Sequence, residues 1–267
     1  MMDLAAAGVS LEILALLAAV ALVAGFVDAI AGGGGLITVP ALLLAGLPPV
    51  AAIATNKLQG TFGVASSTLA FWRAGRIERR LVLPFFGFAF LGGALGAAVA
   101  HLIPDPVLRA AIPVALIGIA VFMLLTPKLG DIDAAPRMGF LAFAICVGLG
   151  NGAYDGAFGP GAGTFYLLGL ILLCGFSMMR AVAHTRLMNF GSNLGSLLFF
   201  LYAGHVLIPL GLAMGAASAL GAYIGAQTTM RFGAAIIRPL VVVVSIAMAI
   251  RLLIDPANPL GAWLRAL

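Results

Sequence analysis

The stretch AGFVDAIAGGGGLITVP, residues 24–40, places an aspartate inside an apolar run and follows it with four consecutive glycines. Aspartate is costly inside a bilayer, and glycine is a poor helix former. On a helix, Gly25, Asp28 and Gly32 share one face, where a neighbouring backbone can approach closely and the carboxylate can find a partner. The stretch therefore predicts a membrane helix that carries a buried acid and ends in an unwound segment.

The composition of the whole chain is typical of an integral membrane protein. Of its 267 residues, 63% are hydrophobic and 9% are charged, whereas a soluble domain carries about a quarter charged residues. No lysine or arginine precedes the apolar run from Leu11 to about Ala31, so we expect a transmembrane span there rather than a secretory signal. The net charge of +5 comes from basic residues at the ends of apolar segments, which positive-inside topology explains without nucleic acid.

The opening pattern returns in the second half of the chain. AGFVDAIAGGGG (24–35) aligns with NGAYDGAFGPGA (151–162) at an offset of 127 residues, which pairs Asp28 with Asp155. After a two-residue insertion, ATNKL (54–58) aligns with AHTRL (183–187) at an offset of 129 residues, which pairs Lys57 with Arg186. We therefore predict two homologous transmembrane repeats in one membrane domain, residues 1–130 with an N-terminal extension and residues 131–267.

Each repeat contains an apolar piece, Leu36–Leu47 or Gly163–Gly175, that is shorter than the ~20 residues needed to cross a bilayer. We expect these pieces to be broken or re-entrant helices. Four arginines between positions 73 and 80 mark one connection as cytoplasmic, and the basic bias changes sides in the second half. The prediction is an all-α polytopic membrane protein of about eight to ten transmembrane segments, most simply two inverted repeats of five with both termini outside. A parallel arrangement of four plus four remains open.

Two features of the repeats predict an anion site. The helices that restart after the glycine breaks have free N–H groups and a positive dipole end, which attract anions. The second feature is a cation among amides and hydroxyls, a combination that suits a dehydrated oxyanion. The expected substrate-binding residues are Lys57, Thr55, Asn56, Arg186, Asn189, Asn193, Gly33, Gly34, Gly161 and Gly163.

Several of these residues have a second interpretation that the sequence leaves open. Asp28 and Asp155 either take up a coupling proton or hold the broken segments in place. Lys57 and Arg186, at which we expect a helix to open in each repeat, either balance the anion or extend to a membrane interface as topology markers. His184 is the histidine whose position favours a role as proton carrier.

Three segments resemble the sulfite exporter TauE/SafE family of membrane permeases. They are GFVDAIAGGGGLITVPALLLAGLPPVAAIATNKLQG (25–60), GAYDGAFGPGAGTFYL (152–167) and RLMNFGSNLGSLLFFLYAGHV (186–206). The resemblance covers nearly the whole chain. It implies a transporter of the bacterial inner membrane for sulfur-containing anions such as sulfite, sulfoacetate, thiosulfate or other sulfonates.

The resulting prediction is a secondary transporter for a small anion, with proton coupling as a hypothesis and an anion channel or a permease for a non-sulfur organic anion as alternatives. We expect the lipid bilayer and a small anionic substrate as partners, with a homodimer as one open assembly. The sequence contains neither a nucleophile–base pair nor a metal motif, so we expect neither an enzyme nor a cofactor. It also has no nucleotide-binding loop that would indicate direct ATP drive.

Overall fold

The computed structural model describes residues 10–125 and 132–232, together with Ile246 and Ile250. The described ranges contain helices and no strands. The predicted repeat boundary at residues 130 and 131 lies outside them. The helices are α1 (Leu11–Ala31), α2 (Gly35–Leu44), α3 (Pro49–Arg73), α4 (Arg79–Leu102), α5 (Asp105–Leu125), α6 (Phe140–Phe143), α7 (Gly150–Ala157), α8 (Ala162–Cys174), α9 (Met178–Tyr202) and α10 (Ile208–Phe232), with a π-helical segment, Ala144–Leu149, joining α6 to α7.

Four helical segments are long and apolar enough to cross a membrane, namely Leu11–Ile30, Arg79–Leu102, Phe140–Ala157 and Ile208–Phe232. The 25-residue helices α3 and α9 have enough length as well, since a rise of about 1.5 Å per residue carries them across a bilayer. They are less hydrophobic because their polar residues face the inside of the bundle, where most of them are buried. Helices α2 and α8, with 10 and 13 residues, are shorter than a bilayer span.

The glycine-rich segments interrupt the helices as the sequence predicts. Helix α1 ends at Gly32, whose φ of 78° is in the left-handed region that glycine adopts without strain. Helix α8 starts after Gly161, which has a φ of 76°. Because neither helix continues through its break, the backbone polar groups at both breaks are available to neighbouring elements.

Lys57 and Arg186 do not open helices, and this part of the prediction is wrong. Helix α3 begins at Pro49 and helix α9 begins at Met178, so each basic residue lies eight positions inside its helix. Proline is favoured in the first turn because it lacks the N–H that would be unpaired there, and Ser177 occupies the N-cap position of the other helix in an extended conformation. Both cations are therefore carried into the bundle instead of standing at its surface.

Small residues bring the long helices into backbone contact. A Cβ atom at Gly96 would lie 1.9 Å from the carbonyl oxygen of Ala153, and one at Gly221 would lie 1.9 Å from that of Leu22. These are helix–helix contacts of the kind that glycine permits in membranes.

The same contacts fix the directions of the helices. Gly211 meets Leu58 and Gly215 meets Phe62, so α10 runs parallel to α3. Likewise Gly191 and Gly195 of α9 meet Phe86 and Phe90 of α4 in ascending order, so these two helices are parallel to each other. His184 near the start of α9 accepts from the N–H of Glu78 just after α3, and Thr55 near the start of α3 accepts from the N–H of Leu207 just after α9, so α3 and α9 run in opposite directions.

Candidate functional site

The two glycine breaks are in direct backbone contact. A Cβ atom at Gly32 would lie 2.6 Å from the carbonyl carbon of Gly163, and one at Gly163 would lie 2.6 Å from the Cα atom of Gly32. Such distances are too short for any side chain, so only glycine allows the two segments to approach this closely. The break of each repeat therefore forms one junction with the break of the other.

Two buried ion pairs cross between the repeats at this junction. Lys57 Nζ lies 2.7 Å from Asp155 Oδ1, and Arg186 Nη1 lies 3.1 Å from Asp28 Oδ2. Each cation pairs with the acid of the other repeat. Both cations are almost completely buried, so they are not topology markers that extend to a membrane interface.

Asp155 is enclosed by side-chain donors. In addition to Lys57, it accepts hydrogen bonds from Asn193 Nδ2 at 3.2 Å and from the hydroxyl of Ser192. The side chain of Asp155 is 4% exposed. A carboxylate with this number of donors is stabilised in its charged form, which offsets the cost of its burial.

Asp28 is held differently. Its Oδ1 accepts from the backbone N–H of Gly34 at 3.0 Å, directly before α2, and its Oδ2 accepts from Arg186. The guanidinium of Arg186 also donates to the carbonyl oxygen of Asp28. The Asp28 side chain is 17% exposed, about four times the exposed fraction of Asp155, and the exposed part faces a cavity.

This cavity lies where the two breaks and helices α3, α9 and α10 come together. Its volume, traced by the centre of a water-sized sphere, is about 40 Å³, which exceeds the roughly 10–15 Å³ that one water requires. The ionisable residues that line it are Asp28 and Asp155. The lining residues are Ala24, Asp28, Gly32, Gly34, Gly35, Asn56, Gln59, Gly60, Gly63, Val64, Asp155, Gly159, Gly163, Asn189, Asn193 and Ser218.

Two amide oxygens of the cavity lining, Gln59 Oε1 and Asn189 Oδ1, are buried without a hydrogen-bond partner among the residues that the structure describes. Buried polar atoms are normally paired, so an unpaired acceptor in a polar cavity indicates a place for a donor such as water or a protonated ligand. The guanidinium Nε of Arg186 is likewise buried and unpaired.

The cavity includes about half of the residues that we expected to bind substrate. Asn56, Asn189, Asn193, Gly34 and Gly163 line it directly. Lys57 and Arg186 reach it through their carboxylate partners, whereas Gly33 and Gly161 lie beside it in the chain. The hydroxyl of Thr55 instead accepts from the backbone N–H of Leu207 at 3.1 Å, which ties α3 to the start of α10.

His184 lies away from the cavity, at the end of the bundle where α4 begins. Its Nδ1 lies 2.8 Å from the carbonyl oxygen of Arg180 and its Nε2 lies 3.2 Å from the backbone nitrogen of Glu78. A ring that donates at Nδ1 and accepts at Nε2 is neutral. A second proton would break the bond to Glu78, so the contacts of His184 serve to join α9 to the α3–α4 connection.

The same end of the bundle carries an ion cluster, which we name the Arg180 cluster and define as Arg180, Glu78, Asp133 and Arg80. Arg180 contacts Glu78 at 2.6 Å and Asp133 at 3.1 Å. Burial raises the pKa of Glu78, but the hydrogen bonds from Arg180 and Arg80 outweigh it and hold this pKa below its ordinary value. The backbone N–H of Ser177 lowers the pKa of Asp133. Both acids are therefore charged at neutral pH.

Sequence reasoning missed three polar residues around the cavity, Gln59, Ser192 and Ser218. Gln59 Nε2 donates to Ser218 Oγ at 2.6 Å and joins α3 to α10. A signal for Gln59 and Ser192 was present, because both lie on the helices that carry the predicted cations and amides. Ser218 gave no signal, since its neighbours are the small residues of an ordinary packing face.

The described part of the chain contains no group of three or more His, Cys, Asp or Glu residues that could hold a metal ion. Cys146 and Cys174 are free thiols, the first exposed and the second buried. The arrangement offers charge, hydrogen bonds and a small polar cavity, which are the elements of a binding site.

Comparisons with known proteins agree with the resemblance seen in the sequence. The model of the family described as sulfite exporter TauE/SafE matches residues 17–252. A probable membrane transporter protein, ORF9, of Sinorhizobium sp is 47% identical over 253 residues, which cover 95% of this chain and 97% of the relative. A probable membrane transporter protein of Haemophilus influenzae is 42% identical over 247 residues, which cover 92% of this chain and 97% of the relative.

A more distant relative, the probable membrane transporter protein YdhB of Bacillus subtilis, is 26% identical over 211 residues, which cover 78% of this chain and 85% of the relative. No solved structure matches the chain. With a family match over most of its length and two relatives above 40% identity, the chain is a membrane transporter that belongs to the sulfite exporter TauE/SafE family.

Proposed function

We propose that this protein is a secondary transporter that carries a small sulfur-containing oxyanion or organosulfonate across a bacterial inner membrane, together with a proton. The observation that carries the proposal is the small polar cavity at the junction of the two breaks, next to two crossed ion pairs. Secondary transporters commonly bind substrate between two repeats, where interrupted helices direct their ends at the ligand.

An inverted relation between the repeats is part of the proposal, and two sets of contacts support it. Helices α3 and α9 occupy equivalent sequence positions and run in opposite directions. Equivalent residues also make equivalent contacts at opposite ends of the bundle. Thr55 accepts from the N–H of Leu207, while His184, 129 positions after Thr55, accepts from the N–H of Glu78, 129 positions before Leu207.

This relation gives alternating access a physical basis. If each repeat closes one end of the bundle through the same type of contact, then rocking one repeat against the other opens one end as it closes the other. The end that carries the Arg180 cluster is rich in arginine and is the cytoplasmic end by the positive-inside rule. The end that contains Thr55 and Leu207 then faces outward.

The charges favour coupling of the anion to a proton. The formal charges of Asp28, Asp155, Lys57 and Arg186 sum to zero, so an anion that enters the cavity adds an uncompensated negative charge beside two carboxylates. Such a charge is costly in a buried site. A proton taken up by one carboxylate restores neutrality, and this makes proton-linked transport the least costly mode.

The substrate class comes from the family, and a binding experiment on the purified protein tests it. We expect sulfite, thiosulfate or sulfoacetate to raise the thermal unfolding temperature. Sulfate and acetate are the control anions, and they should not raise it to the same extent if binding is specific for the substrate. A ligand at one hundred times its Kd stabilises the state that binds it by about 2.7 kcal/mol. A shift with acetate alone would reassign the substrate to carboxylates.

Transport requires a second measurement with the protein in liposomes. Radiolabelled sulfite should accumulate transiently when the vesicles contain an excess of unlabelled sulfite, because a carrier exchanges one ligand for another. A flux that neither saturates nor shows this counterflow would identify a channel. The variant Arg186→Gln should lose the ligand-induced thermal shift, and Arg186→Gln/Asp28→Asn is the matched control that keeps the site neutral.

A further inference from the structure

The carboxylate of Asp28 occupies the position that an oxyanion would take. One oxygen accepts from the backbone N–H of Gly34, where α2 begins, and the other accepts from the guanidinium of Arg186. Helix N-termini and arginine forks are the two donors that most often bind carboxylates, phosphates and sulfates. The Asp28 carboxylate therefore occupies, as an anion of the chain itself, the donors that could bind a substrate oxyanion.

The geometry points to Asp28 as the residue that takes up the coupling proton and, once neutral, yields the Gly34 N–H and Arg186 to the substrate anion. This inference rests on the proposed function. The exchange conserves charge: one proton from solvent binds a carboxylate oxygen of Asp28, and one anion takes over the donors that the carboxylate releases. Transport of a monoanion would then carry one proton for each anion.

Asp155 is not suited to this role, because protonation of its carboxylate would leave a buried cation without a charged partner. In the described part of the chain, Lys57 Nζ has one acceptor, Oδ1 of Asp155. Lys57 is completely buried. Neutralising Asp155 would leave an unpaired charge in the interior and would also disrupt the bonds from Ser192 and Asn193.

Arg186 keeps a partner when Asp28 is neutral. Its guanidinium also donates to the backbone carbonyl oxygen of Asp28, a bond that does not depend on the protonation of the side chain. Its Nε is a further buried donor, with no partner in the described ranges of the chain. Arg186 can thus remain bonded to the protein while it turns other N–H groups toward an anion, which Lys57 cannot do.

The cavity also contains acceptors for the new proton. A protonated carboxyl is a donor that needs a partner when buried, and the unpaired oxygens Gln59 Oε1 and Asn189 Oδ1 lie on residues that line the same cavity as Asp28. The other charged groups around Asp28 are Arg186 on α9 and, across the cavity, the Asp155–Lys57 pair. Helix α2 has no ionisable residue, and α10 contributes Ser218 to the lining.

Liposomes that contain a pH-sensitive dye test the assignment, with radiolabelled methanesulfonate as the probe, because this monoanion has no proton that titrates near neutral pH. In the wild-type protein, entry of the sulfonate should bring in one proton for each anion, and sulfonate exchange should accelerate as the pH falls. Asp28→Asn should carry the sulfonate without protons, at a rate that no longer depends on pH. Asp155→Asn should lose sulfonate binding and exchange together, because Lys57 is left without its acceptor.

Several outcomes separate the possibilities. Wild-type protein that moves none of the sulfur anions would overturn the proposed function itself. If the wild-type protein transports the anion and Asp28→Asn still moves protons with it, the assignment to Asp28 is wrong and the proposed function stands. The same holds if Asp155→Asn transports the anion but loses the proton coupling. If Asp28→Asn does not fold, Asp28→Glu decides the question: a moved carboxylate should shift the pH profile of exchange, and an unshifted profile would contradict the inference.

Discussion

The two crossed ion pairs are equivalent in sequence and different in their surroundings. Lys57 and Asp155 form a closed pair, in which side-chain donors surround an acid that is 4% exposed. Arg186 and Asp28 form an open pair, in which the acid is 17% exposed toward the cavity and uses one backbone donor. We propose that the closed pair stabilises the structure and that the open pair takes part in transport.

The helices beside the pairs explain how the difference arises. On α9, Asn189 and Asn193 fill the cavity wall, whereas the residues 129 positions earlier on α3 are Gly60 and Val64. A Cβ atom at Gly60 would lie 2.9 Å from Asn193 Oδ1, so the glycine is what makes room for the amide. At these two positions the second repeat supplies amides, and the first repeat supplies a glycine that leaves space for one of them.

Breaking the closed pair should have the largest effect. Lys57→Met leaves Asp155 charged, buried and without its cation, which should lower the free energy of unfolding by about 3–5 kcal/mol. The measurement is unfolding in detergent, followed by helical circular dichroism. Adding Asp155→Asn should recover much of the loss, since no charge is then left unpaired. Simple additivity of the two substitutions would contradict the pairing.

Breaking the open pair should cost less. Arg186→Gln leaves Asp28 with the Gly34 N–H and with access to the cavity, so we expect a loss of roughly 2–3 kcal/mol in the same unfolding assay. The functional consequence should be larger than the structural one, with sulfite exchange abolished. If Arg186→Gln proves more destabilising than Lys57→Met, the distinction between the closed and the open pair is wrong.

Forcing the two breaks apart should affect both ion pairs, because both depend on the junction. Gly32→Ala places an alanine in a left-handed backbone conformation and brings its Cβ atom into contact with Gly163. Gly46→Ala places an alanine at a φ of 92°, also in the left-handed region, but its Cβ atom would meet no described atom within 4 Å. The difference between the two variants isolates the close approach, and it should be about 1–3 kcal/mol of unfolding free energy. Equal losses would indicate that the breaks do not touch.

The exposed Arg180 cluster should show the smallest effect, because water already solvates its charges. Glu78→Gln should change the unfolding free energy by about 0–1 kcal/mol at neutral pH. The folded-state pKa of Glu78 is lowered, so its contribution is present above the ordinary pKa of 4.5 and is lost as the pH falls through the folded value. Thermal unfolding of wild type and variant should therefore converge in acid, and a difference that grows in acid would contradict this.

Much of the fold could be predicted from the sequence because the repeat and the hydrophobic runs are strong signals. Position 32 shows why the breaks were predictable, since four glycines in an apolar run fit no continuous helix. The starts of α3 and α9 differ from the prediction because α3 begins at Pro49 and α9 begins directly after Ser177, and both residues precede the basic residue of their helix. Whether the repeats are inverted in the membrane stays a prediction.

The four ionisable residues beside the cavity could be named from the sequence, but their pairing could not. A buried acid in a membrane must have a partner, and Lys57 and Arg186 were the available cations. Sequence spacing cannot tell whether Asp28 pairs within its own repeat or with the other one, because the answer depends on which helices pack together. The hydrogen bonding of Asp155 also depends on the hydroxyl of Ser192. In the sequence, Ser192 is one of many small residues and gives no sign of this contact.

A crystal soaked in selenite tests whether a substrate anion binds in the cavity beside Asp28. Selenite has the shape and charge of sulfite, and selenium gives an anomalous scattering peak that locates it. We expect one peak in the cavity, within hydrogen-bonding distance of the Gly34 N–H and the Arg186 guanidinium. A peak confined to the Arg180 cluster, or an empty cavity at a selenite concentration that saturates sulfite exchange, would contradict it.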